Sequence, residues 1–233
     1  MCDEKMRACY NNELGEDIMN KQEQIEKTIT FVKDILEKDA SGHDWYHIER
    51  VHKLAIALFE KEGGNRFVIE MAALLHDVAD DKLNESEEVG MKKVTDWLEL
   101  LGISQEDVEQ IVHIIANMSY KGGHGGTVAT LEGEIVQDAD RLDALGAIGI
   151  ARTFAYGGAK GRLLYDPNIP PRETMTKEEY RKSDEPSLNH FYEKLLKLKD
   201  LMNTDAAKEE AEERHRYMEQ FIDQFMKEWN AQI

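Results

Sequence analysis

The stretch Phe67 to Asp81, FVIEMAALLHDVADD, constrains this chain more than any other, because an apolar run with helical spacing ends in a dense polar cluster. Val68, Met71, Ala72, Leu75 and Ala79 recur at three- and four-residue intervals, the period of a helix burying one face. His76 and Asp77 fall where such a helix should still be apolar. A buried imidazole beside a buried carboxylate is costly unless the two are paired or hold a metal. For one isolated dipeptide a His-Asp pair fraying off a helix end is the commoner explanation. The rest of the chain decides between the two.

Taken in order, Ile25, Ile29, Val32, Ile35 and Leu36 mark the buried face of a first helix ending near Asp39. Asp44 is a capping residue for a second, which runs to Gly63 and Gly64 and places His47 beside the Ile48, Val51, Ala55 face. Asn65 can cap the central helix, and Glu87 to Leu101 resumes the pattern. Ser104, with Asp107 three residues on, opens the helix of Val108, Ile111, Val112 and Ile115, which gives way to the glycine loop YKGGHGG. From Glu132, Ile135, Val136, Ala139, Leu142, Leu145, Ile148 and Ala151 form one more buried stripe with Asp140 inside it. Tyr156 to Pro171 reads as loop, Thr176 and Glu179 as a capping box, and Pro186 as the first turn of a helix through Leu188, Phe191, Leu195 and Leu198. A last amphipathic helix begins near Thr204. No alternating run of length occurs, so the expected class is all-α. Residues 1–18 are expected to be a loose leader, and 19–233 a single helical domain.

At 233 residues and 41% hydrophobic, the chain can bury one sizeable core. It contains no run of eighteen apolar residues, and acidic residues stand where an export signal needs a basic start, so a membrane partner is not expected. Cys2 and Cys9 both lie in the leader and cannot staple a fold, which suits a reducing cytoplasm. A formal net charge of −18 argues against duplex nucleic acid as a partner, but less against small phosphate esters, because a cation in a cleft can dominate the local field.

Three expected helices thus bring ionisable residues to their buried sides: His47, then His76 with Asp77, then Asp140. Two imidazoles and two carboxylates can share a divalent ion and leave positions open on it, with oxygens favouring manganese or magnesium and imidazoles iron, cobalt, nickel or zinc. Adjacent residues on an α-helix point about 100° apart, so His76 and Asp77 can reach one ion only near their shared edge. Asp80 overhangs that edge, either as a general acid or water-orienting group or as an ordinary turn residue. His43 and Asp44 could orient His47. Between Ala144 and Arg172, the cations Arg152, Lys160, Arg162 and Arg172 face a single acid, Asp166, a basic island in an acidic chain. That loop is a candidate phosphate clamp, and Lys121 in the glycine loop is a second. Arg50 and Arg141 either contact phosphate or hold Asp77, Asp140 or Asp143 in place. His190 and His215 have no acidic partner at useful spacing.

The order His47, His76-Asp77, Asp140, within HDWYHIERV, LLHDVAD and QDADRLDALGAIGIAR, resembles the HD-domain superfamily of metal-dependent phosphohydrolases, and within it the bacterial YpgQ-type nucleotide phosphohydrolases. The resemblance spans roughly residues 24 to 220. It implies an all-helical HD-domain bundle, one divalent metal ion held by His47, His76, Asp77 and Asp140, and hydrolysis of phosphate esters or anhydrides. Manganese is the favoured ion, with magnesium, cobalt, nickel or iron as alternatives. Some members carry a catalytic glutamate three residues after the HD aspartate, where this chain has Asp80.

The expected activity is cleavage of (deoxy)nucleoside triphosphates to monophosphate and pyrophosphate by a metal-bound water, with Asp77 and Asp80 catalytic and Arg50, Lys121, Arg141, Arg152 and Arg162 binding substrate. The alternatives are a 5'-nucleotidase or phosphodiesterase on the same site, a nonhydrolytic metal-binding sensor, and a two-iron oxidase using His113 as an extra ligand. The expected partner is a nucleotide or another small phosphate ester, and a homodimer is left open.

Overall fold

The computed structural model describes residues 19–36, 44–80, 83–118, 128–172 and 185–232, and all of its regular structure is helical. The leader, His43, Asp81, Lys121, His124 and the Thr176–Glu179 capping box lie outside the described residues. We label the helices α1 (Lys21–Leu36), α2 (Trp45–Glu62), α3 (Arg66–Leu75), α4 (Glu87–Leu100), α5 (Gln105–Asn117), α6 (Leu131–Asp143), α7 (Gly146–Ala159), α8 (Asn189–Glu193) and α9 (Asp205–Trp229). Two 3-10 segments, His76–Ala79 and Leu195–Leu201, follow α3 and α8. No helix among the described residues is long and apolar enough to cross a membrane.

The helix starts follow the capping chemistry of the sequence. Asp44, Asn65, Ser86, Ser104, Thr130 and Thr204 each accept a hydrogen bond from a backbone N–H in the first turn. Helix α3 is the hub. It packs against α1, α2, α5 and α6, and every residue from Phe67 to Leu75 is buried. The one-faced helix expected from the spacing is therefore covered on all sides, and its single buried acid, Glu70, is paired with His52 on α2 and with Arg66 in its own first turn. The apolar cluster around it runs from Ile25 to Ile222.

The polar end of the stretch departs from α-helical geometry. After Leu75 the chain tightens into the 3-10 turn His76–Ala79, with all four residues buried. Helix α4 lies across this turn, where Gly90 permits an approach no other residue could: a Cβ there would stand 2.5 Å from the Ala79 carbonyl oxygen.

The stripe expected to continue from Glu132 through Ala151 breaks at Ala144–Leu145. Gly146 takes φ +68, which only glycine adopts freely, and α7 leaves in a new direction against α9. Ile135, Val136, Ala139, Leu142 and Leu145 are buried as expected, but Ile148 and Ala151 are exposed. The loop expected from Tyr156 starts later, because α7 continues to Ala159. Gly157 lies inside the helix, where a Cβ would meet Ser187 Oγ at 2.0 Å, so this glycine serves packing rather than chain reversal.

Asp138, wholly buried on α6, ties the two ends of the bundle together. It accepts from the backbone N–H and side-chain amide of Asn203 and from the backbone N–H and hydroxyl of Thr204, the cap of α9.

Gly90→Ala should push the Ala79 carbonyl, and with it the turn carrying His76 and Asp77. Overpacking costs about 1–3 kcal/mol, against about 1 kcal/mol gained in helix propensity. The expected result in thermal unfolding is a melting point lower by up to about 8 °C, whereas a rise would show that the contact relaxes freely.

Candidate metal centre

Three elements converge at the end of α3. The Asp44 carboxylate accepts from the His47 backbone N–H at 2.9 Å, fixing the first turn of α2 and with it the origin of the His47 side chain. His76 and Asp77 come from the 3-10 turn, and Asp140 comes from the last turn of α6. The His47 and His76 rings meet edge to face with centroids 5.4 Å apart.

His76 Nδ1 lies 2.8 Å from the Ala73 carbonyl, which can only accept, so Nδ1 carries the proton and Nε2 the lone pair. That Nε2 is buried and has no hydrogen-bond partner among the described residues. It lies 3.4 Å from Asp77 Oδ1 and 3.9 Å from Asp140 Oδ1, while His47 Nε2 lies 3.4 Å from Asp77 Oδ2 and 3.5 Å from Asp140 Oδ1. A lone pair facing two carboxylates is a place for a cation. Donors about 2.1 Å from one ion stand about 3 Å apart at right angles and about 4.2 Å apart in line. The observed spacings fall between these limits. Among the described residues, His47, His76 and Asp77 offer ligand atoms all within 4.8 Å of one another. Burial works to lower the His76 pKa, but the charges of Asp77 and Asp140 outweigh it and raise the value. A proton and a metal ion thus compete for the same nitrogen.

Behind His47 stands Asp143, 1% exposed. Its Oδ2 lies 2.7 Å from His47 Nδ1, its Oδ1 accepts from Arg50 Nε at 2.6 Å, and Arg50 NH2 and Arg152 NH1 both donate to Oδ2. Burial pushes the Asp143 carboxyl up. The hydrogen bonds from His47 and Arg50 and the Arg152 charge prevail and hold it far below the usual range. The partner anticipated for the His47 ring was His43 or Asp44, whereas Asp44 caps the backbone and Asp143 meets the ring. The signal was present in the register, since Asp140 and Asp143 are three apart on one helix and share a face.

The basic island divides among separate partners. Arg152 reaches Asp143, while Lys160 and Arg162 lie over the Tyr156 ring, at 5.7 and 5.3 Å from its centroid. Arg172 is held by Glu193, to which it donates from its backbone N–H, Nε and NH2. Arg141 is not brought to the centre: its guanidinium turns to the Leu201 carbonyl and the Asp138 side of α6. Asp80 follows the 3-10 turn in extended conformation, and its charge acts on His76. His113 is exposed on α5 and belongs to no such convergence. His190 is half-buried near Lys194 and Arg162, and its pKa falls to about 3, first through desolvation of the ring. His215 does have an acidic partner, Glu219, one turn further along α9 at 3.3 Å.

A family model described as "HD domain" matches residues 44–145, the span that holds all four converging side chains. The uncharacterized protein YpgQ of Bacillus subtilis is 42% identical over 212 residues, covering 90% of this chain and 96% of the relative. The chain belongs to the HD superfamily. A crystal structure of an HD-superfamily hydrolase from Bacillus thuringiensis has 73% identity and a TM-score of 0.74, covering 91% of this chain and all of that one. A structure of Bacillus subtilis YpgQ in complex with ADP has 41% identity and a TM-score of 0.70, covering 88% and 97%. As an HD-superfamily hydrolase, the protein falls among metal-dependent phosphohydrolases.

In this HD-superfamily protein the Arg172–Glu193 pair fixes the segment leaving α7 against α8. Burial raises the Glu193 pKa, but the Arg172 hydrogen bonds and charge lower it further, so the net shift is below the ordinary 4.5. A carboxylate depressed in the folded state stabilises above its unfolded pKa and ceases to do so as pH falls through the folded value. Glu193→Gln should cost about 1–3 kcal/mol at pH 7. In urea unfolding the gap to wild type should stay constant above pH ~5.5 and narrow as pH drops below ~4.5. A gap that does not change with pH would mean the pair contributes shape rather than charge.

Proposed function

We propose that this protein hydrolyses nucleotides, converting (deoxy)nucleoside triphosphates to monophosphate and pyrophosphate with one divalent ion, manganese by preference. The reading is carried by the buried, partnerless Nε2 of His76 facing Asp77 and Asp140 beside His47. It is supported by the relative whose structure holds ADP. Held by His47, His76, Asp77 and Asp140, a divalent ion supplies Lewis-acid activation of water and of the attacked phosphoryl group.

The chain's own residues supply the rest. Asp77, itself buried, bridges the two imidazoles, with Oδ2 3.4 Å from His47 Nε2 and Oδ1 3.4 Å from His76 Nε2. The Asp140 side chain, 36% exposed, forms the open edge through which substrate enters. Asp80, at the end of the turn and only half-buried, handles the proton, either on the attacking water or on the leaving oxygen. Arg50 and Arg152 spend part of their donors on Asp143. Their side chains are about a third exposed and stand ready to meet charge developing on the phosphoryl oxygens. Arg162, with Lys160, lies just past the end of α7 and suits the more distal phosphates. Lys121 retains its assignment as a second phosphate contact.

Chelator-treated protein should be silent and regain activity with manganese, releasing pyrophosphate from nucleoside triphosphates. Asp77→Ala should lose more than the 10–100-fold typical of changes outside the ligand set. Phosphate release from monophosphates alone would instead make the protein a nucleotidase. Absence of turnover with every nucleotide and metal would point to a sensor.

A further inference from the structure

We propose that Asp143 is a positioning residue for the metal centre: clamped by Arg50 and Arg152, its carboxylate holds His47 as the Nδ1–H tautomer and aims the Nε2 lone pair between Asp77 and Asp140. The inference rests on the reading of that cluster as a metal site, and it concerns a residue outside the ligand set.

The geometry decides between two arrangements. His47 Nδ1 lies 2.7 Å from Asp143 Oδ2 and 3.1 Å from Arg152 NH1. An ionised carboxylate can only accept and a guanidinium can only donate. If Nδ1 carried the lone pair it would accept from Arg152, but it would then press that lone pair against a carboxylate oxygen at 2.7 Å. If Nδ1 carries the proton, it donates to Oδ2 at the shorter distance, and Arg152 donates to the same oxygen. The second arrangement sets two donors 3.1 Å apart, but both point at Asp143 Oδ2, which is nearer to each than they are to one another.

Asp143 can serve in this way because its two oxygens, 1% exposed, are filled by four donor contacts from two guanidiniums and one imidazole, which fix the orientation of the carboxylate toward His47. The clamp also joins α2, which carries His47 and Arg50, to α6 and α7, which carry Asp143 and Arg152. His76 obtains the same tautomer from a backbone carbonyl, that of Ala73, so both imidazoles turn the same nitrogen inward by different means.

Two readouts test the proposal on the whole chain. Long-range 1H–15N correlation of the metal-free protein, with the His47 ring assigned from the His47→Gln variant, should show the neutral Nδ1–H form for His47. An Nε2–H form in the wild type overturns the inference without any appeal to mutants. Calorimetric titration with Mn2+ should then show Asp143→Asn, close to isosteric, binding about 10–100-fold more weakly than wild type. A merely structural Asp143 would lower the melting temperature and leave both the tautomer and the Mn2+ affinity in place, a result that sinks the proposal. Asp77→Asn separates the two levels. If Asp77→Asn loses Mn2+ while Asp143→Asn binds it like wild type, only the positioning role fails. If Asp77→Asn also binds it like wild type, the metal centre itself is refuted, and the positioning role with it.

Discussion

A helix buried on every side can offer polar groups to a site only at its ends. Helix α3 is such a helix, covered by α1, α2, α5 and α6, and everything distinctive about the centre follows from what happens where it stops. The chain does not simply exit there. It tightens into a 3-10 turn that keeps His76 and Asp77 buried, and α4 crosses closely enough over Gly90 to hold the turn down. Three residues per turn instead of 3.6 widens the angle between neighbouring side chains from about 100° to about 120°, and His76 and Asp77 meet at their shared edge, with Nε2 3.4 Å from Asp77 Oδ1.

Charge explains how so acidic a molecule sustains a cluster of carboxylates in its interior. Asp143 is met by Arg50 and Arg152, which both lie on its own side of His47. Asp77 and Asp140 are left facing imidazole lone pairs. The imbalance is local and directional, positive behind His47 and negative in front of it. That polarity suits a divalent cation in front and leaves the guanidiniums on the flank where phosphate oxygens gather.

Much of this was legible in the sequence. The helix starts were, because capping uses short polar side chains at fixed offsets from apolar runs, as at Asp44, Asn65 and Ser104. The four converging residues were also legible, because buried ionisable groups on otherwise apolar faces are costly and therefore conspicuous. What could not be read was which partner each charge would choose. Arg141 and Arg152 look alike in the sequence, yet one turns to the Leu201 carbonyl and the other to Asp143. Arg172 looked like a phosphate ligand until Glu193, twenty-one residues on, supplied a buried partner. Glycines misled in the same way: Gly157 was read as loop although it lies in a helix, because close packing and chain reversal call for the same residue.

The tie between Asp138 and residues Asn203 and Thr204 bears on where this fold can be divided. The segment 44–145 holds all four converging side chains, but it is not self-contained. It leaves out α1, whose Thr28 accepts from the buried Trp97 indole and whose Gln24 donates to the Leu101 carbonyl. It also leaves out Asn203 and Thr204, which lead into and cap α9 and donate four hydrogen bonds to Asp138. Cut free, that segment would keep its ligands in sequence while baring one side of its central helix and stranding a carboxylate in its interior. The residues that do the chemistry and the residues that let them stand together are therefore different sets, and the second encloses the first from both directions along the chain.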